Sequence, residues 1–268
     1  LIDVTGDDPV KAYRIIRKEL KDYAAYLVKE GDLAVVDGMS GIGAPAVHGA
    51  RVRATIDAGR VAFQEPGANG RSCASCHGPG GDAKNNLETT ASRHPRFELG
   101  QERVVGIEER VNQCRQQRMS SDPLPLASPH INRLAGYVKF LGRGKAIDIQ
   151  GDNGEAAFAR GRTSFYRQAG QLNFSCASCH DGSGGMWLRG QRMQKLAPLV
   201  GQWPKHYIAL HDLGLINLRQ RIQHCQIVMR TLPLALHSQE YLELEYYLTR
   251  LANGGAIQAP TMTRLRGE

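Results

Sequence analysis

The pentapeptide Cys-Ala-Ser-Cys-His occurs twice, as Cys73-Ala74-Ser75-Cys76-His77 and as Cys176-Ala177-Ser178-Cys179-His180, 103 residues apart. Two thiols at this spacing lie on one helical turn and reach the two vinyl groups of a single porphyrin, and the adjacent His then meets the iron from below. Each copy reads as the attachment site of a covalent c-type haem, through Cys73 and Cys76 with His77 on the iron, and through Cys176 and Cys179 with His180. The competing reading is a pair of zinc or redox Cys-x-x-Cys elements. A zinc site would want its second pair within a short finger-like span, and 103 residues is far beyond one.

With 268 residues the chain has room for two domains of ordinary size. Its aromatic content of 6% is low, as expected where a buried porphyrin replaces side-chain volume. The formal charge is +8, and the propionates of two haems would offset part of it. No dense Lys/Arg tract and no aromatic stripe accompanies the excess, so it suits small anions or an acidic partner and excludes a nucleic-acid surface. No stretch approaches the roughly 18 apolar residues of a membrane helix. The sequence begins at Leu1 without a basic-then-apolar leader, so a signal peptide is expected to have been removed. Haem attachment by this motif points to the periplasm.

The two halves match beyond the pentapeptide. Gly59-Arg60-x-x-Phe63 precedes the first motif and Gly161-Arg162-x-x-Phe165 the second. Arg110-Val111-Asn112-Gln113-Cys114 answers Arg221-Ile222-Gln223-His224-Cys225, and Leu124-Pro125-Leu126-Ala127 answers Leu232-Pro233-Leu234-Ala235. Ser128, Leu134, Tyr137, Val138 and Leu141 match Ser238, Leu244, Tyr247, Leu248 and Leu251 at a constant offset of 110. Two copies of one domain account for this. The last block of each is an expected helix, with a Ser at the N-cap and, after Ser128, Pro129 at the first helical position. A helix is also expected before each motif. That order resembles the cytochrome c fold.

The expected architecture is all-α: an N-terminal helical extension over 1–57, then two cytochrome c-like domains in tandem, 58–146 with haem 1 and 147–268 with haem 2 and the active site. Asp8-Pro9 followed by Val10, Tyr13, Ile16, Leu20, Tyr23 and Leu27 predicts an amphipathic helix ending at Gly31. Gly38 to Gly49 reads as a loop, and the seam between domains is placed at Gly142 to Gly154.

Six cysteines less four used by haem leave Cys114 and Cys225 at equivalent positions. Three readings compete. Axial ligation of each iron by a thiolate explains both positions by one rule. A disulfide between them suits an oxidising compartment. Ligation by Met119 and Met229 is the third, and these two do not align once Cys114 and Cys225 are superposed. Thiolate ligation would lower the reduction potential relative to a Met-ligated haem and would put a nucleophilic sulfur at the metal.

Gly170-Gln171-Leu172-Asn173 before the second motif, Leu188-Arg189-Gly190 after it and Arg221-x-x-x-Cys225 resemble the SoxA family of the SoxAX cytochromes of bacterial sulfur oxidation. Arg110-x-x-x-Cys114-Arg115, Arg118-Met119 and Pro123-Leu124-Pro125 fit it as well, so the resemblance spans about residues 58 to 255. It implies a periplasmic heterodimer with a small monohaem cytochrome, SoxX, that joins thiosulfate oxidatively to a cysteine of the SoxYZ carrier while two electrons leave through the haems. Carried over by position, Cys225 is the active-site ligand, expected as a persulfide, opposite His180; Cys114 and His77 ligate the other haem. Arg221 is placed to hold an anionic sulfonate, with a haem propionate as the other partner it could serve. His224 and the glycine-rich Gly182 to Trp187 depart from the family pattern, and Lys205, His206 and His211 precede the ligand segment. A cysteine S-thiosulfotransferase is the function expected. The alternatives are a stand-alone thiosulfate dehydrogenase forming tetrathionate, and a dihaem cytochrome that only transfers electrons or is related to peroxidases.

Overall fold

Each CASCH pentapeptide folds as a short helix, Cys73–His77 and Cys176–His180, closed at its start by the preceding serine. Ser72 caps the amide of Ser75 while the Ser75 side chain takes the amide of Ser72, and Ser175 and Ser178 repeat this capping box. The motif's own Ser is therefore what fixes the turn on which the two thiols stand. The computed structural model describes residues 45–81, 86–151, 153–182, 186–188, 191–192, 196, 200–203, 206–208 and 214–259, with side chains given for parts of these. The amphipathic helix expected between Val10 and Leu27 lies outside them.

In chain order the described helices are α1 (Pro45–Gln64), α2 (Cys73–His77), α3 (Leu87–Ser92), α4 (Ile107–Met119), α5 (Pro129–Leu141), α6 (Glu155–Tyr166), α7 (Cys176–His180), α8 (Leu218–Val228) and α9 (Gln239–Leu251). Helix α1 begins at Pro45, so residues 45–49, expected as loop, are helical. Proline at the first helical position has no amide to leave unpaired and carries the right φ already. Ser128 and Ser238 cap α5 and α9 as expected, through the amides of Ile131 and Tyr241.

The all-α expectation needs one amendment. Among the described residues three two-stranded antiparallel ribbons interrupt the helices: β1 (Arg96–Glu98) with β2 (Arg103–Val105), β3 (Trp187–Leu188) with β4 (Gln191–Arg192), and β5 (His206–Ile208) with β6 (Gly214–Ile216). They are too short for an alternating pattern to stand out from loop sequence. Two of them deliver the chain to the cysteine helices, since β2 runs into α4 and β6 into α8.

Gly-Arg-x-x-Phe is a packing device. In α1 a Cβ on Gly59 would stand 2.3 Å from the Arg133 carbonyl oxygen of α5, and in α6 a Cβ on Gly161 would stand 2.1 Å from that of Glu243 in α9. Only glycine lets the helix backbones approach so closely. One turn later Phe63 and Phe165 are buried, against Tyr137 and Tyr247.

Residues 49–268 cohere as one unit, and the two halves hold each other reciprocally. Strand β2 packs on α9, and β6 packs on α5. Trp203 lies on Gly136, where a Cβ would meet its ring at 2.2 Å. Between the halves sits a buried polar layer. Asn132 of α5 donates to Gln220 at 2.8 Å and accepts from Asn217 at 3.1 Å, both at the start of α8. Beside them Arg219, 1% exposed, donates to Glu108 at 2.9 Å and to both oxygens of Glu109.

Candidate haem centres and the site beside Cys225

In the first half a cavity of about 190 Å³ is bordered by Cys73 and His77 of α2 and by Cys114 of α4. Phe63, Leu87, Ile107, Val111, Leu134 and Val138 make its apolar wall, and Thr90, His94, Arg96 and Arg110 its polar margin. Burial and the neighbouring Cys114 push the Cys73 thiol up to about 11, against the opposing charge of Arg115. Burial also raises the Cys114 thiol, opposed by Arg110 and Arg118. Both thiols are thus less acidic than an ordinary cysteine.

Haem c fits this donor set. Two thiols stand at one edge, an imidazole and a third thiol reach the cavity from two different helices as two axial ligands must, and apolar side chains supply the walls. His94 also borders the cavity. Its Nδ1 lies 2.8 Å from the Thr90 carbonyl oxygen and donates to it. That leaves the buried Nε2 without a hydrogen-bond partner among the described residues, on the margin of the same cavity. Burial holds the ring neutral, its pKa down to about 4. As an acceptor, this nitrogen has room for a hydrogen bond from a donor that no described residue supplies.

Helix α4 also carries Arg110, one turn before Cys114. Its Nη2 donates to Glu98 of β1, which takes a second bond from Arg96. Burial alone would raise the Glu98 carboxyl, but the hydrogen bond from Arg96 and the charge of Arg110 hold it below the ordinary carboxylate range.

In the second half the thiols are grouped in a similar way. The Cys176 thiol is pushed up to about 11 by burial, then by Cys225 and Cys179, so Cys225 of α8 comes to Cys176 as Cys114 of α4 comes to Cys73. Arg221 stands one turn before Cys225 on the same helix. Its Nη1 donates to Nδ1 of His224 at 2.6 Å, and among the described residues it has no carboxylate partner. The loop before the motif runs alongside the end of α8, with the Gln171 amide donating to the Arg230 carbonyl at 3.3 Å. Leu172, Phe174, Ile227, Val228 and Leu232 are exposed there, Leu232 to 88%.

The six cysteines form no disulfide, and Cys114 and Cys225 each neighbour the thiols of their own half. Met119 is buried at the end of α4 against the backbone around Gly67 and does not border the cavity; Met229 is the C-cap of α8. Lys205 and His211 lie outside the described residues, as do Ser183 to Gly185, Arg189 and Gly190, and of His206 only the backbone is described, in β5. Sequence reasoning did not single out His94 or Glu98. A lone His before a Pro carries no spacing signal, and Glu98 meets Arg110 only through the ribbon.

Among the described residues no helix is long and apolar enough to cross a membrane. The family model "SoxA/TsdA, cytochrome c domain" matches residues 58–147. L-cysteine S-thiosulfotransferase subunit SoxA of Chlorobaculum tepidum is 30% identical over 208 residues, 76% of this chain and 69% of that protein. The protein of the same name from Pseudaminobacter salicylatoxidans is 27% identical, covering 73% and 67%, and one from Hydrogenobacter thermophilus is 28% identical, covering 77% and 79%. A chain of the crystal structure of SoxXA from P. pantotrophus superposes with a TM-score of 0.70 at 24% identity, over 80% of this chain and 79% of that one. The helix-rich fold is thus cytochrome c-like.

Proposed function

Since the chain belongs to the SoxA family of L-cysteine S-thiosulfotransferase subunits, we propose that it is a periplasmic dihaem cytochrome that joins thiosulfate oxidatively to a cysteine of a carrier protein. The observation that carries this reading is the pairing seen twice, Cys114 beside Cys73 and Cys225 beside Cys176, with an arginine one turn before each ligand cysteine. In this reading the halves are tandem copies, 58–146 and 147–268.

The reaction joins the outer sulfur of thiosulfate to the carrier's cysteine sulfur, releases the thiol proton and gives up two electrons, leaving a cysteine S-thiosulfonate. Haem c supplies one-electron acceptance, and two of them match the two electrons. Cys73 with Cys76, and Cys176 with Cys179, would anchor the groups; His77 with Cys114, and His180 with Cys225, would hold the irons. Cys225 presents its sulfur, as a persulfide, to the substrate. Arg221 holds the anionic sulfonate oxygens, where a charge-assisted bond is strongest. The exposed apolar residues from Leu172 to Phe174 and Ile227 to Leu232 support docking of a protein beside this centre. The partners are a SoxX-like monohaem cytochrome, in a heterodimer, and a SoxYZ-like carrier.

The test is thiosulfate turnover with an electron acceptor, with and without carrier protein, together with mass spectrometry of the Cys225 peptide. Carrier-dependent oxidation and one additional sulfur on Cys225 but none on Cys114 are expected. Rapid tetrathionate formation without carrier would overturn the reading in favour of a stand-alone dehydrogenase.

A further inference from the structure

The two ligand helices present the same arginine and cysteine but restrain the arginine by different chemistry. Superposing Cys114 on Cys225 puts Arg110 on Arg221 and Gln113 on His224. In the first half Gln113 turns away, its Nε2 donating to Gln101 Oε1 at 3.1 Å, and Arg110 is held by the Glu98 carboxylate. In the second half the residue in the Gln113 position turns back onto its own helix, and His224 Nδ1 takes the Arg221 bond at 2.6 Å. A guanidinium can only donate, so the imidazole receives it on an unprotonated nitrogen. The segment that would supply a counterpart to Glu98, His206-Tyr207-Ile208-Ala209 around β5, contains no acid.

A carboxylate restraint and an imidazole restraint differ in what they leave behind. Glu98 fixes Arg110 and cancels a unit of positive charge in doing so, sharing itself with Arg96. His224 fixes Arg221 and cancels nothing. An incoming oxyanion therefore meets at Arg221 a guanidinium that is already oriented and whose charge no carboxylate among the described residues cancels.

We propose that His224 is a positioning residue that holds Arg221 beside Cys225 without discharging it, and that this exchange of Glu98 for His224 is what reserves anionic sulfur substrates for the second centre and leaves the first to electrons. The inference rests on the reading of Cys225 as the thiosulfate centre.

It is tested in the holoprotein with its small cytochrome partner, using H224Q, H224E and H224A. A glutamine amide oxygen can still accept from Arg221 without charge, whereas a glutamate reproduces the Glu98 arrangement. Expected is a rise of about tenfold or more in KM for thiosulfate in H224E, with kcat changed far less and both haem spectra unaltered. H224Q should restore KM to within about threefold, and H224A should fall between. Thiosulfate binding by titration calorimetry, without carrier or electron acceptor, should weaken in the same order. Equal KM and affinity in H224E and H224Q would overturn the proposal, as would a changed haem spectrum in all three variants, which marks a merely structural role. If the wild-type protein binds thiosulfate but does not turn it over, while H224E still weakens binding, the assigned reaction fails and the role of His224 stands.

Discussion

The Arg219 guanidinium donates to both oxygens of Glu109, 110 residues earlier in the chain, from the first turn of one cysteine helix to the first turn of the other. Glu108 takes a further bond, the Leu236 carbonyl takes one at 2.7 Å, and Arg219 Nε lies 3.1 Å from Glu245 Oε2 without the alignment of a hydrogen bond. Burial opposes the charge on Arg219, but the carboxylates of Glu108, Glu245 and Glu109 outweigh it and raise its pKa. Both cysteine helices are thereby referenced to one ionic centre.

Removing that cation leaves buried carboxylates uncompensated. Arg219→Met should destabilise the protein by about 3–5 kcal/mol and lower Tm by on the order of 10 °C. Replacing Arg219, Glu108 and Glu109 together by apolar residues of similar volume should cost less, because two of the three carboxylates leave with the cation and only Glu245 loses its partner. Thermal unfolding of the two variants checks this, and an equal or greater loss in the triple variant would sink the argument.

Glu245 gives the pH dependence. Burial raises its carboxyl to about 7, against Arg219 and with Glu108 and Glu109 adding to the rise. The folded protein then binds this proton more tightly than the unfolded chain, whose Glu titrates near 4.5. Its contribution is complete below about 4.5 and is lost as pH rises through about 7. The stability of the protein relative to its Glu245→Gln variant should fall across that window. A difference that stays flat from pH 4 to 8 in denaturant titrations would rule the assignment out.

Gly59 and Gly161 set the helix crossings. Gly161→Ala places a Cβ 2.1 Å from the Glu243 carbonyl oxygen and Gly59→Ala one 2.3 Å from that of Arg133. Backbone cannot yield as a side chain would, so each should cost about 1–3 kcal/mol. Gly100→Ala, where nothing lies within 4 Å of the added carbon, should change stability by less than about 0.5 kcal/mol. Urea midpoints of the three variants decide it.

Each attachment motif should act alone. Changing Cys176 and Cys179 together to Ser should lower the intact mass by one haem and leave the haem at Cys73 and Cys76 in place. Haem-stained gels and intact mass spectrometry read the count directly, and a protein that still carries two haems would remove the second site.

Much of this was legible because it is local. Ser128-Pro129 signals its own helix start, whereas the capping boxes at Ser72 and Ser175, equally local, were not singled out in the sequence. Gly-Arg-x-x-Phe was visible as a repeated pattern, but its reason is the helix that crosses it. His224 stood out as a departure; its bond to Arg221 needed the helix to be built. His94 and Glu98 gave no signal, since each acts on a residue from another element.

By itself the sequence determined where the two haem-attachment motifs lie, which cysteines are left over and which serines, prolines and glycines start, stop or thin the helices, because these depend on neighbours within a few residues. Tertiary structure alone decided that Arg219 is balanced by acids of the other half, that Glu98 holds Arg110 while His224 holds Arg221, and that His94 is buried at the border of the first cavity. Coulomb and hydrogen-bond partners are chosen by distance in space, and in this chain the deciding distances cross from one half to the other or from ribbon to helix.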